Sequence, residues 1–107
     1  MKTLNEIENI LENHKKELAE KYHVSEIGVF GSYVRGEQNE NSDIDILVEY
    51  YPKSIISLLD VSSLRNYISD LLHMKVDVIH KKDIRIELRE NILNEAVYLW
   101  KGLKIFW

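Results

Sequence analysis

Apolar residues in this chain recur at two kinds of spacing, which alternate along the sequence. Spacings of three and four residues are typical of amphipathic helices with one buried face. They predict helices over residues 3–22, 54–72 and 84–94. Shorter runs rich in isoleucine and valine are typical of strands. They predict strands over residues 25–30, 43–49 and 75–80.

The predicted helices and strands alternate, with one short helix added between the first two strands. That short helix spans residues 32–35, and Gly36 suits the left-handed conformation that ends a helix. A last short helix is expected before Gly102. This order predicts an α/β (α+β) fold in which one small mixed sheet is flanked by helices. Since the chain has 107 residues and no internal repeat or linker, residues 1–107 are expected to form one domain.

The same pattern predicts where the long helices begin and which side chains they bury. Residues suited to N-caps precede each helix, namely Thr3 or Asn5, Ser54 or Ser57, and Asp83. The buried face of the second long helix is expected to carry Ile55, Leu58, Leu59, Leu64, Ile68, Leu71 and Leu72.

Charge and composition exclude several classes of protein. A formal net charge of −4 gives no overall basic field, so neither nucleic acid nor an anionic membrane is an expected partner. The absence of cysteine excludes disulfides and thiolate metal sites, and His23, His73 and His80 lack the spacing of a zinc site. No apolar run approaches the roughly 20 residues that span a membrane, and the N-terminus lacks the apolar core of a secretory signal. We therefore expect a cytoplasmic protein.

A glycine-serine turn follows the first predicted strand. A small residue and then a hydroxyl, here Gly31 and Ser32, suit close approach of the backbone to a phosphate. An ordinary strand-to-helix turn with Ser32 as the cap is the alternative. Arg35 lies one helical turn beyond Ser32 and could reach the same phosphates, unless it is simply a solvated arginine.

Three carboxylates form the candidate catalytic group. Asp43 and Asp45 stand two residues apart, so they are expected on the same face of a strand. Asp77 lies 32 residues beyond Asp45 and faces away from the valines that flank it. Carboxylates presented in this way can share Mg²⁺, which takes oxygen ligands and brings phosphates with it. The structural alternatives are a turn cap for Asp43 and a sheet-edge residue for Asp77. At Asp45 an acid between isoleucines would be costly without partners.

One motif in this chain resembles that of the polymerase-β nucleotidyltransferase superfamily. It consists of a hydrophobic strand, Gly31-Ser32, ten intervening residues and then Asp-Ile-Asp. The resemblance covers the chain from about Val24 to about Trp100. Because the chain is short, it is similar to minimal nucleotidyltransferases, the antitoxins found beside HEPN-domain toxins in prokaryotes.

The resemblance implies a role for each residue of the motif. Asp43 and Asp45 would be the metal-binding pair, and Asp77 would be the third carboxylate, which helps to deprotonate the acceptor hydroxyl. Gly31 and Ser32 would bind the triphosphate of the incoming nucleotide. The implied cofactor is Mg²⁺, as two ions, and the implied substrate is ATP.

The activity implied by the resemblance is transfer of AMP from ATP to a hydroxyl, expected to be tyrosine, of a HEPN ribonuclease toxin. The chain offers no second domain for a nucleic-acid primer, which favours a protein acceptor or a permanent partner in an oligomer. Two other hypotheses remain open: an antitoxin that neutralises the toxin by binding alone, and a small-molecule transferase like the aminoglycoside nucleotidyltransferases. The aromatic C-terminal residues belong either to the core or to a partner surface, namely Tyr98, Trp100, Phe106 and Trp107.

Overall fold

Four strands build one mixed sheet in the computed structural model, which describes residues 2–100. The strands are β1 (Val24–Phe30), β2 (Ile44–Tyr50), β3 (Val76–His80) and β4 (Val97–Trp100). Their order across the sheet is β3-β2-β1-β4. Strand β2 pairs parallel with β3, whereas β1 pairs antiparallel with both β2 and β4. The predicted class, a small mixed sheet with helices, is confirmed.

Five helices accompany these strands within residues 2–100. They are α1 (Leu4–Asn13), α2 (Lys15–Tyr22), α3 (Ser32–Arg35), α4 (Leu58–Leu72) and α5 (Ile86–Glu95). Helix α4 makes the crossover that a parallel pair of strands requires, here between β2 and β3. None of the helices in this part of the chain has the length and apolarity needed to cross a membrane.

The two faces of the sheet are covered unequally. On one face Ile44, Ile46 and Val48 of β2 pack in the larger core, together with buried residues of α1, α2 and α4. On the other face the smaller buried cluster consists of Phe30, Leu47 and Ile84. Since side chains alternate along a strand, Asp45 lies on the face of Leu47, as predicted. The candidate carboxylate therefore lies on the face with the thinner cover.

The predicted helix over 3–22 is in fact two helices that meet at His14. Thr3 caps α1 through a capping box with Glu6, as one of the two predicted caps. At His14 the ring Nδ1 donates to the carbonyl of Ile10 at 2.8 Å, while the backbone N–H of His14 bonds to Leu11 at 3.0 Å. The imidazole thus takes the carbonyl of Ile10, which the backbone N–H of His14 itself would use in a continuous helix, and the helix breaks there.

The start of α4 was predicted at residue 54, which was wrong, although the cap is one of the two predicted serines. Ser57, not Ser54, forms a capping box with Asp60, so the helix begins at Leu58. Three apolar residues predicted to be buried are exposed as a result, namely Ile55 (94%), Leu58 (87%) and Leu59 (79%). The buried face of the helix begins later, at Leu64, Ile68 and Leu72, as expected for those residues.

The prediction for the C-terminal part also needs correction. Asp83 ends a 3-10 turn instead of capping a helix, and α5 begins at Ile86 without a side-chain cap. The last predicted helix is strand β4. Ala96 has extended dihedral angles (φ −60°, ψ 134°), and the aromatic and branched residues after it favour a strand. Gly28 allows the close approach of β4, because a Cβ there would lie 3.2 Å from Cδ1 of Tyr98.

Two of the four C-terminal aromatic residues lie in the part of the chain that the structure describes. Trp100 is buried in the larger core and Tyr98 packs at the side of the smaller cluster. Phe106, Trp107 and Gly102 lie outside the described residues.

Candidate active site

Asp45 lies at the centre of the candidate site because its strand has a neighbour on each side. In the register of the sheet, Asp45 stands opposite Phe30 of β1 and opposite Asp77 of β3. Asp45 and Asp77 therefore come from neighbouring strands. Asp43 precedes β2 directly, and both Asp43 and Asp77 are exposed, whereas Asp45 is half-buried.

The carboxylate of Asp45 lies in a field of negative charge. Burial raises its pKa above the ordinary aspartate value, and the charges of Asp77 and Asp43 raise it further. The charge of Glu95 acts in the same direction, while Arg35 opposes it. An ionised Asp45 therefore needs a cation nearby to offset the repulsion among these carboxylates.

Gly31 lies directly against Asp45. Its backbone adopts φ 80° and ψ −151°, a conformation that side chains rarely allow. A Cβ on Gly31 would collide with Oδ2 of Asp45 and would lie 3.2 Å from its Cγ. Helix α3 begins at Ser32, and the carbonyl of Gly31 accepts from the amides of Val34 and Arg35 at 3.0 and 3.2 Å. The glycine-serine turn and the carboxylates were predicted from separate parts of the sequence, and in the fold Gly31 and Asp45 lie next to each other.

Arg35 is held by two carboxylates. Its Nε donates to Oε1 of Glu37 at 2.7 Å, and its Nη1 donates to Oε1 of Glu95 at 2.6 Å. These two bonds raise the pKa of the guanidinium, Glu37 first and then Glu95. The side chain is about half-exposed, at 49%. A phosphate at the glycine-serine turn would therefore compete with two carboxylates for this arginine.

Sequence analysis missed Glu95, the last residue of α5. It is 60 positions away from Arg35 in the sequence, and no motif or spacing marks it. The fold alone brings it to the site, because α5 ends where β4 begins to pair with β1.

The residues present fit a divalent cation with oxygen ligands. Asp45 and Asp77 are paired across adjacent strands and Asp43 adds a third charge, while burial first and then the charges of Asp77 and Asp43 raise the pKa of Asp45. Within residues 2–100, no three carboxylate or imidazole groups are placed to enclose an ion by themselves. Mg²⁺ usually keeps several waters and binds through one or two carboxylates together with substrate phosphates, which suits a site of this kind.

Comparison with known proteins places the chain in a family. The model of the nucleotidyltransferase domain matches residues 11–99. A protein of Methanocaldococcus jannaschii, provisionally named a protein adenylyltransferase, is 53% identical over 100 residues, which cover 92% of this chain and 100% of the relative. Protein adenylyltransferase MntA of Thermococcus cleftensis is 50% identical over 99 residues, or 92% of this chain and 98% of the relative.

A solved structure shares the fold as well. It is a toxin-antitoxin with AMP-PNP, which superimposes with a TM-score of 0.69 at 25% identity and covers 87% of this chain and 75% of the other. The matched region includes the glycine-serine turn, the paired aspartates and the whole described sheet up to Leu99. The chain therefore belongs to the nucleotidyltransferase domain family, and it is an enzyme of the minimal nucleotidyltransferase type.

Proposed function

We propose that this nucleotidyltransferase uses Mg²⁺ and ATP to transfer AMP to a tyrosine hydroxyl of a HEPN ribonuclease toxin, and so acts as its antitoxin. The observation that carries the proposal is the arrangement around Asp45. Gly31 lies against it from the β1 side, and Asp77 stands opposite it on β3. A phosphate-binding turn and a candidate base thus flank one carboxylate from opposite sides.

That arrangement suits an in-line displacement at phosphorus. The attacking and leaving oxygens must lie roughly in line in such a reaction. The triphosphate would bind at Gly31 and Ser32, so its pyrophosphate would leave on the β1 side. The acceptor hydroxyl would then approach from the β3 side, where Asp77 is exposed.

Each of the three proposed carboxylates has a role in the transfer. Asp77 takes the proton of the acceptor hydroxyl, the hydroxyl oxygen bonds to the α-phosphorus, and the bond from that phosphorus to the bridging oxygen breaks. Pyrophosphate leaves with the bridging oxygen. Asp43 and Asp45, with Asp77, would hold Mg²⁺, which would neutralise charge on the phosphates and lower the pKa of the attacking oxygen.

Two comparisons support a protein as the acceptor. The relative from Thermococcus cleftensis, half identical to this chain, is named a protein adenylyltransferase. The solved structure with AMP-PNP is that of a toxin-antitoxin. Within residues 2–100 there is also no separate domain that could bind a small-molecule acceptor.

Neutralisation by contact alone is the second candidate, and one observation favours it. Four large apolar side chains are strongly exposed in the described region, a feature typical of a partner surface: Ile55, Leu58, Leu59 and Ile86. Such a surface would hold a partner whether or not transfer occurred.

Intact mass of the toxin encoded beside this chain distinguishes the two candidates. The toxin is incubated with ATP, Mg²⁺ and either the wild-type chain or the Asp43→Asn/Asp45→Asn double variant. We expect an added AMP mass with the wild type and none with the double variant. A stable complex without added mass, and full neutralisation by the double variant, would instead establish the contact mechanism.

Asp77→Asn tests the role of the third carboxylate separately. Because the proposed base acts on the acceptor and the phosphates bind at the turn, the variant should slow transfer much more than it weakens ATP binding. Transfer rate and ATP affinity are measured on the same preparation. Equal losses of the two would make Asp77 only a metal ligand.

A further inference from the structure

A cavity of about 280 Å³ opens beside the carboxylates on the side away from the glycine-serine turn. Asp43 and Asp77 form part of its wall. The other polar lining comes from α4 and from the residue that precedes β3, namely Arg65, Asn66, Ser69 and Lys75. The cavity therefore lies at the β3 edge of the sheet, between α4 and the aspartates Asp43 and Asp77, whereas Gly31 contacts Asp45 from the β1 side.

The fold fixes the backbone that carries the two cations of this cavity. Arg65 and Ser69 lie one helical turn apart on α4. The hydroxyl of Ser69 donates to the carbonyl of Met74 at 2.6 Å, which fixes the turn into Lys75. The carbonyl of Lys75 in turn accepts from the amide of Ile44 at 3.1 Å. Lys75 is thereby fixed beside Asp43.

Neither cation forms an ion pair with a carboxylate in the described part of the chain. The arginines and lysines that do so are elsewhere: Lys21, Arg35, Lys81 and Arg85. Both Arg65 and Lys75 are exposed at the mouth of the cavity. Two positive side chains next to the metal-binding carboxylates, yet unpaired, are suited to a negative group on a molecule that enters there.

We propose that Arg65 and Lys75 form a subsite for an anionic group that the acceptor carries next to its reactive hydroxyl. The inference rests on the proposed function, because it needs the acceptor to enter from the β3 side. The anion has two chemical sources. It is either a carboxylate of the toxin close to the acceptor hydroxyl, or the phosphodiester of an AMP that has already been attached.

If the anion is the phosphodiester of an attached AMP, a second AMP must be transferred, with the same bonds made and broken as in the first transfer. The ribose hydroxyl of the attached AMP loses its proton to Asp77, its oxygen bonds to the α-phosphorus of a new ATP, and pyrophosphate leaves. The phosphodiester made in the first step would lie at Arg65 and Lys75 during this step. The subsite then acts only on additions after the first.

The test compares Arg65→Ala/Lys75→Ala with a matched control, Lys82→Ala/Arg85→Ala. The control removes the same two types of exposed cation outside this cavity. The acceptor is the toxin encoded beside the chain, and intact mass resolves the first AMP addition from later ones. Thermal unfolding of each variant verifies that the fold is kept, and Arg65→Lys/Lys75→Arg provides a charge-retaining variant.

If the anion is a carboxylate of the toxin, we expect a rise of roughly tenfold in the KM for the unmodified toxin, the loss of about one charge-assisted contact. If it is the phosphodiester, we expect the same rise only for the toxin that already carries AMP. The KM for ATP should be unchanged in both cases. A slower first addition identifies the carboxylate as the anion. A normal first addition with slower later ones identifies the phosphodiester. The charge-retaining variant should recover most of the loss, and the effect should shrink at high salt.

Two negative results have separate meanings. If the wild type adds AMP and the Arg65→Ala/Lys75→Ala variant matches it at every addition, the subsite is overturned and the proposed function stands. If the wild type adds no AMP, the proposed function is overturned and the subsite with it.

Discussion

The carboxylate of Asp45 occupies the space that a side chain on Gly31 would fill. A Cβ on Gly31 would meet both Oδ2 and Cγ of Asp45, and the φ of 80° at this glycine already disfavours any other residue. The turn that we propose for phosphate and the carboxylate that we propose for the metal thus lie directly against each other. A change at either position must move the other.

Gly31→Ala should abolish most transfer, whereas Gly36→Ala should not. Both glycines have positive φ, 80° and 72°, so Gly36→Ala should lose on the order of 1 kcal/mol of stability, and Gly31→Ala should lose more because its Cβ also collides with Asp45. Only Gly31→Ala pushes a carbon into Asp45, because nothing lies within 4 Å of a Cβ on Gly36. Displacement of a metal ligand by about 1 Å costs roughly a hundredfold in rate.

Urea unfolding and AMP transfer on the two glycine variants check this expectation. Loss of transfer by Gly31→Ala under conditions where it is still folded, with transfer kept by Gly36→Ala, supports the contact between Gly31 and Asp45. Equal losses of transfer would mean that strain in the turn, and not the carboxylate, matters.

Asp45→Asn should stabilise the metal-free protein at neutral pH while it abolishes transfer. Burial and the neighbouring Asp77 and Asp43 raise the pKa of Asp45 in the folded state above its unfolded value. Ionisation of Asp45 therefore lowers the free energy of unfolding. This destabilisation disappears as the pH falls through the raised pKa. The difference in stability between variant and wild type should be largest near pH 7 and should shrink in acid.

Thermal unfolding of both proteins in chelator, from pH 7 to pH 4, measures that difference. Asp70→Asn, which changes an exposed aspartate on α4, is the matched control and should show no such pH dependence. An Asp45→Asn protein that is less stable than the wild type at pH 7 would show that Asp45 has a compensating partner.

Glu95→Gln should lower the KM for ATP, and Arg35→Ala should raise it. Glu95 holds the guanidinium of Arg35 at 2.6 Å, so a neutral amide would release the arginine to the phosphates. Loss of the arginine itself should cost roughly tenfold in KM, about the free energy of one charge-assisted hydrogen bond. Glu87→Gln, which breaks the exposed pair with Arg85 on the same helix, is the control.

Steady-state kinetics in ATP with saturating toxin separate these effects. The proposed role of Arg35 predicts opposite shifts for the two variants. A rise in KM for both would mean that the pair with Glu95 positions the turn and that the arginine does not contact phosphate.

Tyr67→Phe should destabilise the protein, whereas Tyr50→Phe should leave stability within about 0.5 kcal/mol of the wild type. The hydroxyl of Tyr67 donates to Oε2 of Glu17 at 2.8 Å and links α4 to α2. The hydroxyl of Tyr50 is buried and has no hydrogen-bond partner among the described residues. The midpoints of urea unfolding should therefore separate the two variants, and coincident midpoints would contradict the assignment.

The local part of the site could be predicted from the sequence. Asp45 and Asp77 each alternate with apolar residues, and a period of two fixes the face of a strand wherever the opposite face is buried. Gly31 and Gly36 likewise occupy positions that the turn chemistry requires, since both have positive φ. These features depend on a few residues that are neighbours in the sequence, so the pattern of apolar and polar residues is enough to predict them.

The features that could not be predicted depend on distant residues or on competing hydrogen bonds. The imidazole of His14 breaks a continuous amphipathic pattern by binding a backbone carbonyl. Strand β4 exists because β1 has a free edge beside Gly28, and a single stretch of sequence does not reveal that edge. Glu95 reaches Arg35 only through the path of α5, and Leu58 and Leu59 fit the helical pattern although nothing in the described chain covers them.

The parallel pairing of β2 and β3 has a consequence for how the enzyme assembles. Residues 31–45 supply the turn and two carboxylates from one contiguous segment, whereas Asp77 arrives only after α4 has crossed the sheet and β3 has docked at its edge. Contacts between residues distant in sequence form late, and edge elements open first in local unfolding. A molecule in which α4 and β3 have opened would keep the turn with Asp43 and Asp45 and lack Asp77. With Asp77 as the proposed base, opening of this edge would stop transfer while the proposed phosphate-binding turn stays folded.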